Sequence, residues 1–451
     1  MDIIIIGGGK VGSKLVDCLD KEGHDVVIVD NNPEVVDHIL DTFDVMGVYG
    51  SGTSHEALLE ARVKKADLVI AVTAQDEINV LSCIIARKMG AGRCIARVRK
   101  PDYIKQLPFM REELGINMIV NPDFDAANEI SRMLRFPAAI NIDSFAKGAV
   151  ELAGIRLPEN SVLDGIPIKV LYSKYRVKIL VCAVQRENEV IIPDGDFILH
   201  SGDQIHITGA HSQLAEFLRN LGVFKHRLKS VMIIGGSRIA QYLAQQLIDS
   251  GMRVKIIEQH MKKCEQLSEA LPKAKIICGD GTKQDTLLEE GIDSTDALVS
   301  LTGIDEENII VSLYAQTRGV EKVITKVNKF SFAKLLDSIG LDSVITPKNT
   351  TANGILRYVR AMNTASENDI RTLYKIVKNQ AEAVEFLIKQ PTKFTGIPLR
   401  ELTLKHGLLI AAVIRKNKIM LPDGETKIEV GDTVIIVTTS PYVKNIKDIL
   451  A

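Results

Sequence analysis

Residues 3–12 read Ile-Ile-Ile-Ile-Gly-Gly-Gly-Lys-Val-Gly, four apolar residues running straight into a glycine turn. The run is that of a short buried strand, and Gly7, Gly9 and Gly12 fit the spacing G-x-G-x-x-G. In that pattern the first glycine makes the tight turn, the second removes a side chain that would face a pyrophosphate, and the third lets helix and strand pack closely. Val11, Leu15 and Leu19 then recur at helical spacing, so the turn opens an amphipathic helix. Its N-terminal N–H groups and dipole favour an anion. The whole turn, with Gly8, Lys10 and Val11 between the glycines, is therefore a candidate phosphate-binding segment.

A second apolar strand follows at residues 25–29 and ends on Asp30. A carboxylate there can accept hydrogen bonds from the adenosine ribose hydroxyls. The next residues, Asn31, Asn32 and Pro33, offer no arginine for a ribose 2′-phosphate. The pattern favours NAD(H) or an adenine nucleotide such as ATP/ADP over NADP(H).

The same string recurs half a chain later. Residues 231–240 read Val-Met-Ile-Ile-Gly-Gly-Ser-Arg-Ile-Ala, and Glu258 stands where Asp30 stands in the first copy. Gly50-Ser51-Gly52-Thr53 matches Gly279-Asp280-Gly281-Thr282. Thr73-Ala74-Gln75-Asp76-Glu77 matches Thr302-Gly303-Ile304-Asp305-Glu306, Arg97 matches Lys326, and Pro193-Asp194-Gly195 matches Pro422-Asp423-Gly424. A proline-led helix carries Asn128, Ile130, Arg132 and Arg135 in one half and Asn353, Ile355, Arg357 and Arg360 in the other. Matches kept in one order identify a tandem duplication; solenoid repeats have periods of roughly 20 to 50 residues.

Within each half, the first ~120 residues alternate strands and helices, as in a doubly wound parallel sheet, with later strands at residues 68–72 and 95–98. The rest of each half has short strands and turn signals, including Asp194-Gly195 and the alternating Gln204-Ile205-His206-Ile207-Thr208. The fold class is thus α/β: a duplicated Rossmann-like doubly wound domain, each copy followed by a small β-rich α+β domain. The expected bounds are residues 1–123, 140–225, 228–348 and 368–451.

Composition fits. Hydrophobic residues make up 46% of the 451, aromatics only 5%, and there is no Trp, which suits Val/Ile-rich sheets covered by helices. Lys and Arg number 56 against 57 Asp and Glu, so no basic excess points to nucleic acid or an anionic membrane. The six cysteines are scattered without C-x-x-C and read as reduced core thiols of a cytosolic protein. No apolar run approaches the ~18 residues of a membrane span, so direct insertion is not expected.

In a doubly wound sheet the ligand lies across the carboxyl ends of the strands. Ser51 and Gly52 would flank the adenine side, Thr73 and Ala74 the far side, and Arg97 would meet a phosphate or cover the nicotinamide ribose. Lys10 would neutralise a phosphate, and its counterpart Arg238 keeps the positive charge. In the second half the corresponding set is Gly235, Gly236, Ser237, Arg238, Ile239, Glu258, Asp280, Gly281, Thr302 and Lys326. There the fingerprint is degraded: Ser237 replaces the second glycine, where a side chain crowds a pyrophosphate, and Ala240 replaces the third.

No catalytic residue or metal site is expected. None of the nine histidines has a counterpart in the other half, and His206 reads as a solvent-face residue of its strand. No H-E-x-x-H, paired Cys/His set, G-x-S-x-G elbow or G-x-x-x-x-G-K-[ST] loop appears. An NAD-dependent oxidoreductase is the enzyme alternative, but two cofactor-like domains alternating with two small β-rich ones suit a ligand that shifts a conformational equilibrium.

Taken in series, the first turn with Asp30, the Gly-Ser-Gly-Thr and Thr-Ala-Gln-Asp-Glu segments, their second copies, and the Pro-Asp-Gly and Gly-Asp turns make the whole chain resemble the RCK/KTN family of regulators of potassium transport. The resemblance implies a cytoplasmic homo-oligomer, dimer or tetramer, peripheral on the inner face of the cell membrane. It further implies docking on an integral-membrane potassium-translocating subunit, binding of NAD(H) or ATP/ADP, and transmission of occupancy as a gating movement. Ser237, Ala240 and Ser51, which lacks the carboxylate of Asp280, depart from the pattern.

Overall fold

The computed structural model describes all residues except 101–102, 104–106, 136, 138, 146–149, 188, 223–227, 329–335, 337–338, 342, 366–369, 378–379, 417, 440–445 and 451. The chain divides into two compact units, residues 1–131 with 229–356, and residues 132–228 with 357–451.

In the first unit, β1 (Asp2–Ile6), β2 (Asp25–Asp30), β3 (Met46–Tyr49), β4 (Leu68–Ala71), β5 (Arg93–Arg97) and β6 (Met118–Val120) form a sheet in the order β3-β2-β1-β4-β5-β6. Every pairing is parallel. The connecting helices are α1 (Lys10–Lys21), α2 (Pro33–Thr42), α3 (His55–Glu60), α4 (Asp76–Met89), α5 (Leu107–Glu112) and α6 (Pro122–Arg135). Ile3, Ile4, Ile5 and Ile6 are each no more than 1% exposed, because helices cover both faces of the sheet. Val11, Leu15, Val16 and Leu19 form the buried stripe of α1. Asn32 caps α2, its side chain accepting from the Glu34 amide, with Pro33 at the first helical position. The strand order reverses between β1 and β4, the point at whose carboxyl ends doubly wound sheets open a crevice.

The second unit holds two five-stranded antiparallel sheets. The first has the order β11-β10-β13-β8-β7, built from β7 (Asn141–Phe145), β8 (Val150–Arg156), β10 (Ile179–Arg186), β11 (Glu189–Ile191) and β13 (Gln204–Gly209). A two-stranded ribbon, β9 (Ile166–Pro167) with β12 (Ile198–Leu199), and the helices α7 (Leu171–Tyr175) and α8 (His211–Asn220) complete that copy.

Back in the first unit, the second doubly wound copy has β14 (Ser230–Ile234), β15 (Arg253–Glu258), β16 (Lys275–Cys278), β17 (Ala297–Ser300), β18 (Lys322–Lys326) and β19 (Val344–Ile345). Their order is β16-β15-β14-β17-β18-β19. Its helices are α9 (Arg238–Asp249), α10 (Met261–Ala270), α11 (Gln284–Glu289), α12 (Asp305–Thr317) and α13 (Pro347–Ala365). The last sheet, in the second unit, is β20-β21-β24-β22-β23, from β20 (Ile370–Ile376), β21 (Ala381–Leu387), β22 (Leu408–Arg415), β23 (Lys418–Met420) and β24 (Thr433–Thr438). Each half therefore has the same two sheet orders, and the β9–β12 ribbon of the first half has the single Pro398–Lys427 bridge as its counterpart among the described residues.

One face of each small sheet packs into a shared core of Leu152, Cys182 and Ala183 with Ala383, Ala411, Ala412, Ile435 and Val437. This corrects the reading of His206. Ile205 and Ile207 point into their own domain's core, but His206, opposite Ala183, lies on the face turned to the shared core and is 0% exposed. Cys278 is a second correction: it is exposed, whereas Cys83, Cys94, Cys182 and Cys264 are buried.

Candidate functional site

Gly7 leaves β1 with φ +103, and an added Cβ would lie 2.9 Å from the Thr73 amide nitrogen. Only glycine holds that backbone so close to the end of β4. At Gly12 an added Cβ would stand 1.9 Å from the Gly7 carbonyl oxygen, so the start of α1 lies directly on the turn. Gly9, the N-cap of α1, contrasts with both: nothing lies within 4 Å of a Cβ there, and no side chain caps the helix. Gly9 and Lys10 are exposed. The first amides of α1, which an α-helix leaves without internal partners, thus face open space that a phosphate can enter. The Val11 side chain is 7% exposed and belongs to the core, so only its backbone is available to a ligand.

The Asp30 carboxylate accepts from the Gly8 amide at 2.6 Å and the Asn32 amide at 2.9 Å. It ties the glycine turn to the end of β2, and each oxygen retains a lone pair for a hydroxyl. Gly52 seats the next loop on β1, since a Cβ would meet Ile6 Cγ2 at 2.1 Å. Ser51 is exposed beside it, its hydroxyl 2.8 Å from that of Thr53.

Across the crevice, buried Asn79 braces the strand ends. Its Oδ1 accepts from the Thr73 amide at 2.8 Å and the Thr73 hydroxyl at 2.7 Å, and its Nδ2 donates to the Arg97 carbonyl at 2.9 Å. The Arg97 guanidinium donates back to the Thr73 carbonyl. Burial lowers the Arg97 pKa to about 10, which leaves it charged at neutral pH. Arg99 bonds the Ala74 carbonyl at 2.5 Å, and Asp76, 4% exposed, accepts from the Arg99 and Lys100 amides.

The second crevice repeats this bracing. Asn308 accepts from the Thr302 amide at 2.8 Å and donates to the Lys326 carbonyl at 3.1 Å, and the Lys326 ammonium donates to the Thr302 carbonyl at 2.6 Å. Burial lowers the Lys326 pKa. Sequence reading missed Asn79 and Asn308 as positioning residues; the signal was there, since each stands six residues after the repeated threonine.

At the turn itself the halves part. Gly235 has φ +98, and Gly236 donates to Glu258 Oε2 at 2.8 Å, as Gly8 does to Asp30. Glu258 also accepts from the His260 amide at 2.9 Å and is 5% exposed. Ser237, however, caps α9 with its own hydroxyl, accepting from the Ala240 amide at 3.3 Å. Arg238 is held 2.9 Å from Asp123 at the start of α6. The Ile239 side chain is buried, Gly281 packs on Ile234, and the hydroxyl and amide of Thr282 bond Asp280 and lower its pKa. Tyr242 completes this contact between the two doubly wound copies, stacking edge-on against Phe124 with ring centroids 5.4 Å apart and donating to the Arg99 carbonyl at 3.2 Å.

Among the described residues, no group of three or more His, Cys, Asp or Glu is placed to hold a metal ion, and no helix is long and apolar enough to cross a membrane.

The TrkA-N domain model matches residues 3–122 and 231–347, and the TrkA-C domain model matches residues 152–222 and 383–451. The Trk system potassium uptake protein TrkA homolog of Archaeoglobus fulgidus is 32% identical over 451 residues, covering 100% of both chains. The Trk system potassium uptake protein TrkA of Halomonas elongata is 30% identical, covering 97% of this chain and 95% of its own. Among solved structures, the GsuK channel bound to NAD superposes with a TM-score of 0.63 at 21% identity, over 97% of this chain and 76% of that one, a likeness of fold. The chain belongs to the TrkA family, with its N-terminal and C-terminal domain types each present twice.

Proposed function

We propose that this protein is a cytoplasmic regulatory subunit of a potassium uptake system. It binds NAD(H), or ATP/ADP, in the first crevice as a signal and gates an integral-membrane potassium-translocating subunit on which it docks as a homo-oligomer. The observation that carries the reading is the uncapped start of α1 at Gly9, an open anion site with the Asp30 carboxylate at the far end of the turn. The names of the full-length relatives support the transport role, and the NAD-bound state of the GsuK channel supports a dinucleotide.

When bound, the nucleotide supplies the negative charge and adenosine ribose that these residues recognise. The amides of Gly9, Lys10 and Val11 would hold the pyrophosphate, Lys10 would add charge, and Asp30 would orient the ribose. Asn79 and Arg97 keep the ends of β4 and β5 at fixed separation, so the walls of the crevice are set before a ligand enters. A ligand shifts the equilibrium only by its differential affinity for two states. The second crevice, self-capped and with Arg238 engaged, binds nucleotide more weakly in this reading.

Mass spectrometry of nucleotide released from the purified, denatured protein tests identity and stoichiometry together; the expected result is NAD(H) or an adenine nucleotide near one per chain. Potassium flux through vesicles containing the membrane subunit should change when protein and nucleotide are added. Substrate-dependent NADH formation by the purified protein would instead make it an oxidoreductase.

A further inference from the structure

The second crevice carries a pair of thiols that the first lacks. Helices α2 and α10 begin at residues 33 and 261, and strands β3 and β16 end at residues 49 and 278, so Cys264 and Cys278 stand where the first copy has Val36 and Tyr49. Cys264 Sγ donates to the Glu258 carbonyl at 3.2 Å, and Cys278 Sγ approaches the Gln259 carbonyl at 4.0 Å. Two thiols on different elements thus converge on consecutive carbonyls of one segment, beside the carboxylate at the ribose position. Cys278 is exposed and Cys264 is 5% exposed, so one residue of the pair meets solvent and the other is buried. We propose that Cys264 and Cys278 form an oxidisable dithiol that a hydroperoxide closes to a reversible disulfide, stapling α10 to the end of β16 at the rim of the second crevice.

The order of events follows from exposure. The Cys278 thiolate attacks the peroxide, the O–O bond breaks, and Cys278 becomes a sulfenic acid while the other oxygen leaves as alcohol or water. Cys264 sulfur then attacks the Cys278 sulfur. The S–O bond breaks, and water departs with the proton Cys264 gives up; two thiols and one hydroperoxide thus yield a disulfide, an alcohol and water. Burial, with the neighbouring Cys278 thiol adding to it, raises the Cys264 pKa to about 11, which suits a resolving thiol over an attacking one. Cys83 and Cys94 also share a hydrogen bond, Cys94 Sγ to the Cys83 carbonyl at 3.4 Å, but both are 0% exposed and no oxidant reaches them. They serve as an internal control.

The full-length protein is treated with a small excess of hydrogen peroxide, alkylated, and mapped by mass spectrometry without reduction. Expected is a peptide pair linked through Cys264 and Cys278, reversed by dithiothreitol, with two of the six thiols lost. Cys278→Ser should abolish the link, and Cys264→Ser should leave a sulfenic acid at Cys278 that dimedone traps. An unlinked pair of free thiols, an adduct absent from Cys278, or a link between Cys83 and Cys94 in its place would overturn the proposal. Lower nucleotide occupancy of the second crevice after oxidation is a further consequence that rests on the proposed function, and its failure leaves the peptide map untouched.

Discussion

The two halves share the strand order of both their main sheets, yet they differ where a ligand or a proton would have to enter. Gly9 leaves the start of α1 open, whereas Ser237 closes the start of α9 with its own hydroxyl. His206 faces the shared core of the small domains from one half, and Ile435 does so from the other. A duplicated fold keeps the packing that both copies need and leaves residues outside that packing free to differ. The first glycine is retained at Gly7 and Gly235, both with positive φ, because both turns press against the end of a neighbouring strand.

The largest expected effect concerns the small domains. Burial lowers the His206 pKa to about 4 from an ordinary 6.5. The unfolded chain therefore binds the proton more readily, and the stability tied to neutral His206 is fully present above pH 6.5 and lost as pH falls toward 4. The loss reaches about 3 kcal/mol across that window. Glu385, which pairs in register with Ile435, is buried on the same face and Gln204 and Thr208 flank the histidine; the test is thus a difference between proteins. His206→Ile, which gives the first half the second half's residue, should flatten the pH dependence of the melting temperature between pH 6.5 and 4. An unchanged slope would place the acid sensitivity elsewhere.

At the first turn, Asp30→Ala should weaken nucleotide binding by ~1 to 3 kcal/mol through lost ribose hydrogen bonds. Calorimetry with NADH and ATP measures it, and unchanged affinity would contradict the ribose assignment. Gly9→Ser sharpens the contrast further, because it installs the second half's cap where φ is −67 and nothing obstructs the side chain. Affinity should fall about tenfold, or ~1.4 kcal/mol, as the serine hydroxyl takes an amide from the phosphate. Equal binding by this variant would mean that the open helix start does not hold the anion.

Much of this was legible in the residues. Gly7 and Gly12 report backbone geometry directly, because only glycine meets those close approaches, and Gly9 between them marks the open start of the helix. The alternation of residues 204–208 reports a strand with two faces, but not what covers the second one; His206 was misread because its cover comes from residues some 200 positions away. The sequence does not announce that Arg238 is held by Asp123 either, since neighbours across two domains leave no period in either one. Asn79 and Asn308 were legible in principle: a buried amide repeated at one offset from a strand end is the mark of a brace.

The smallest effect is the most discriminating. Ser237→Gly removes the cap of α9 but leaves glycine, itself a tolerated N-cap, so stability should fall by only a few tenths of a kcal/mol. Arg238 sits next to the vacated space, and its bond to Asp123 is a partly exposed ion pair of the kind worth under ~1 kcal/mol, so an incoming phosphate can compete for it. If the hydroxyl is what closes this crevice, nucleotide released per chain should rise toward two in the variant while its melting temperature barely moves. A stoichiometry that stays near one would shift the cause to Ala240 or to the Arg238–Asp123 pair. Ser237→Gly combined with Asp123→Asn then separates those two, since freeing Arg238 restores binding only if the ion pair was the obstacle.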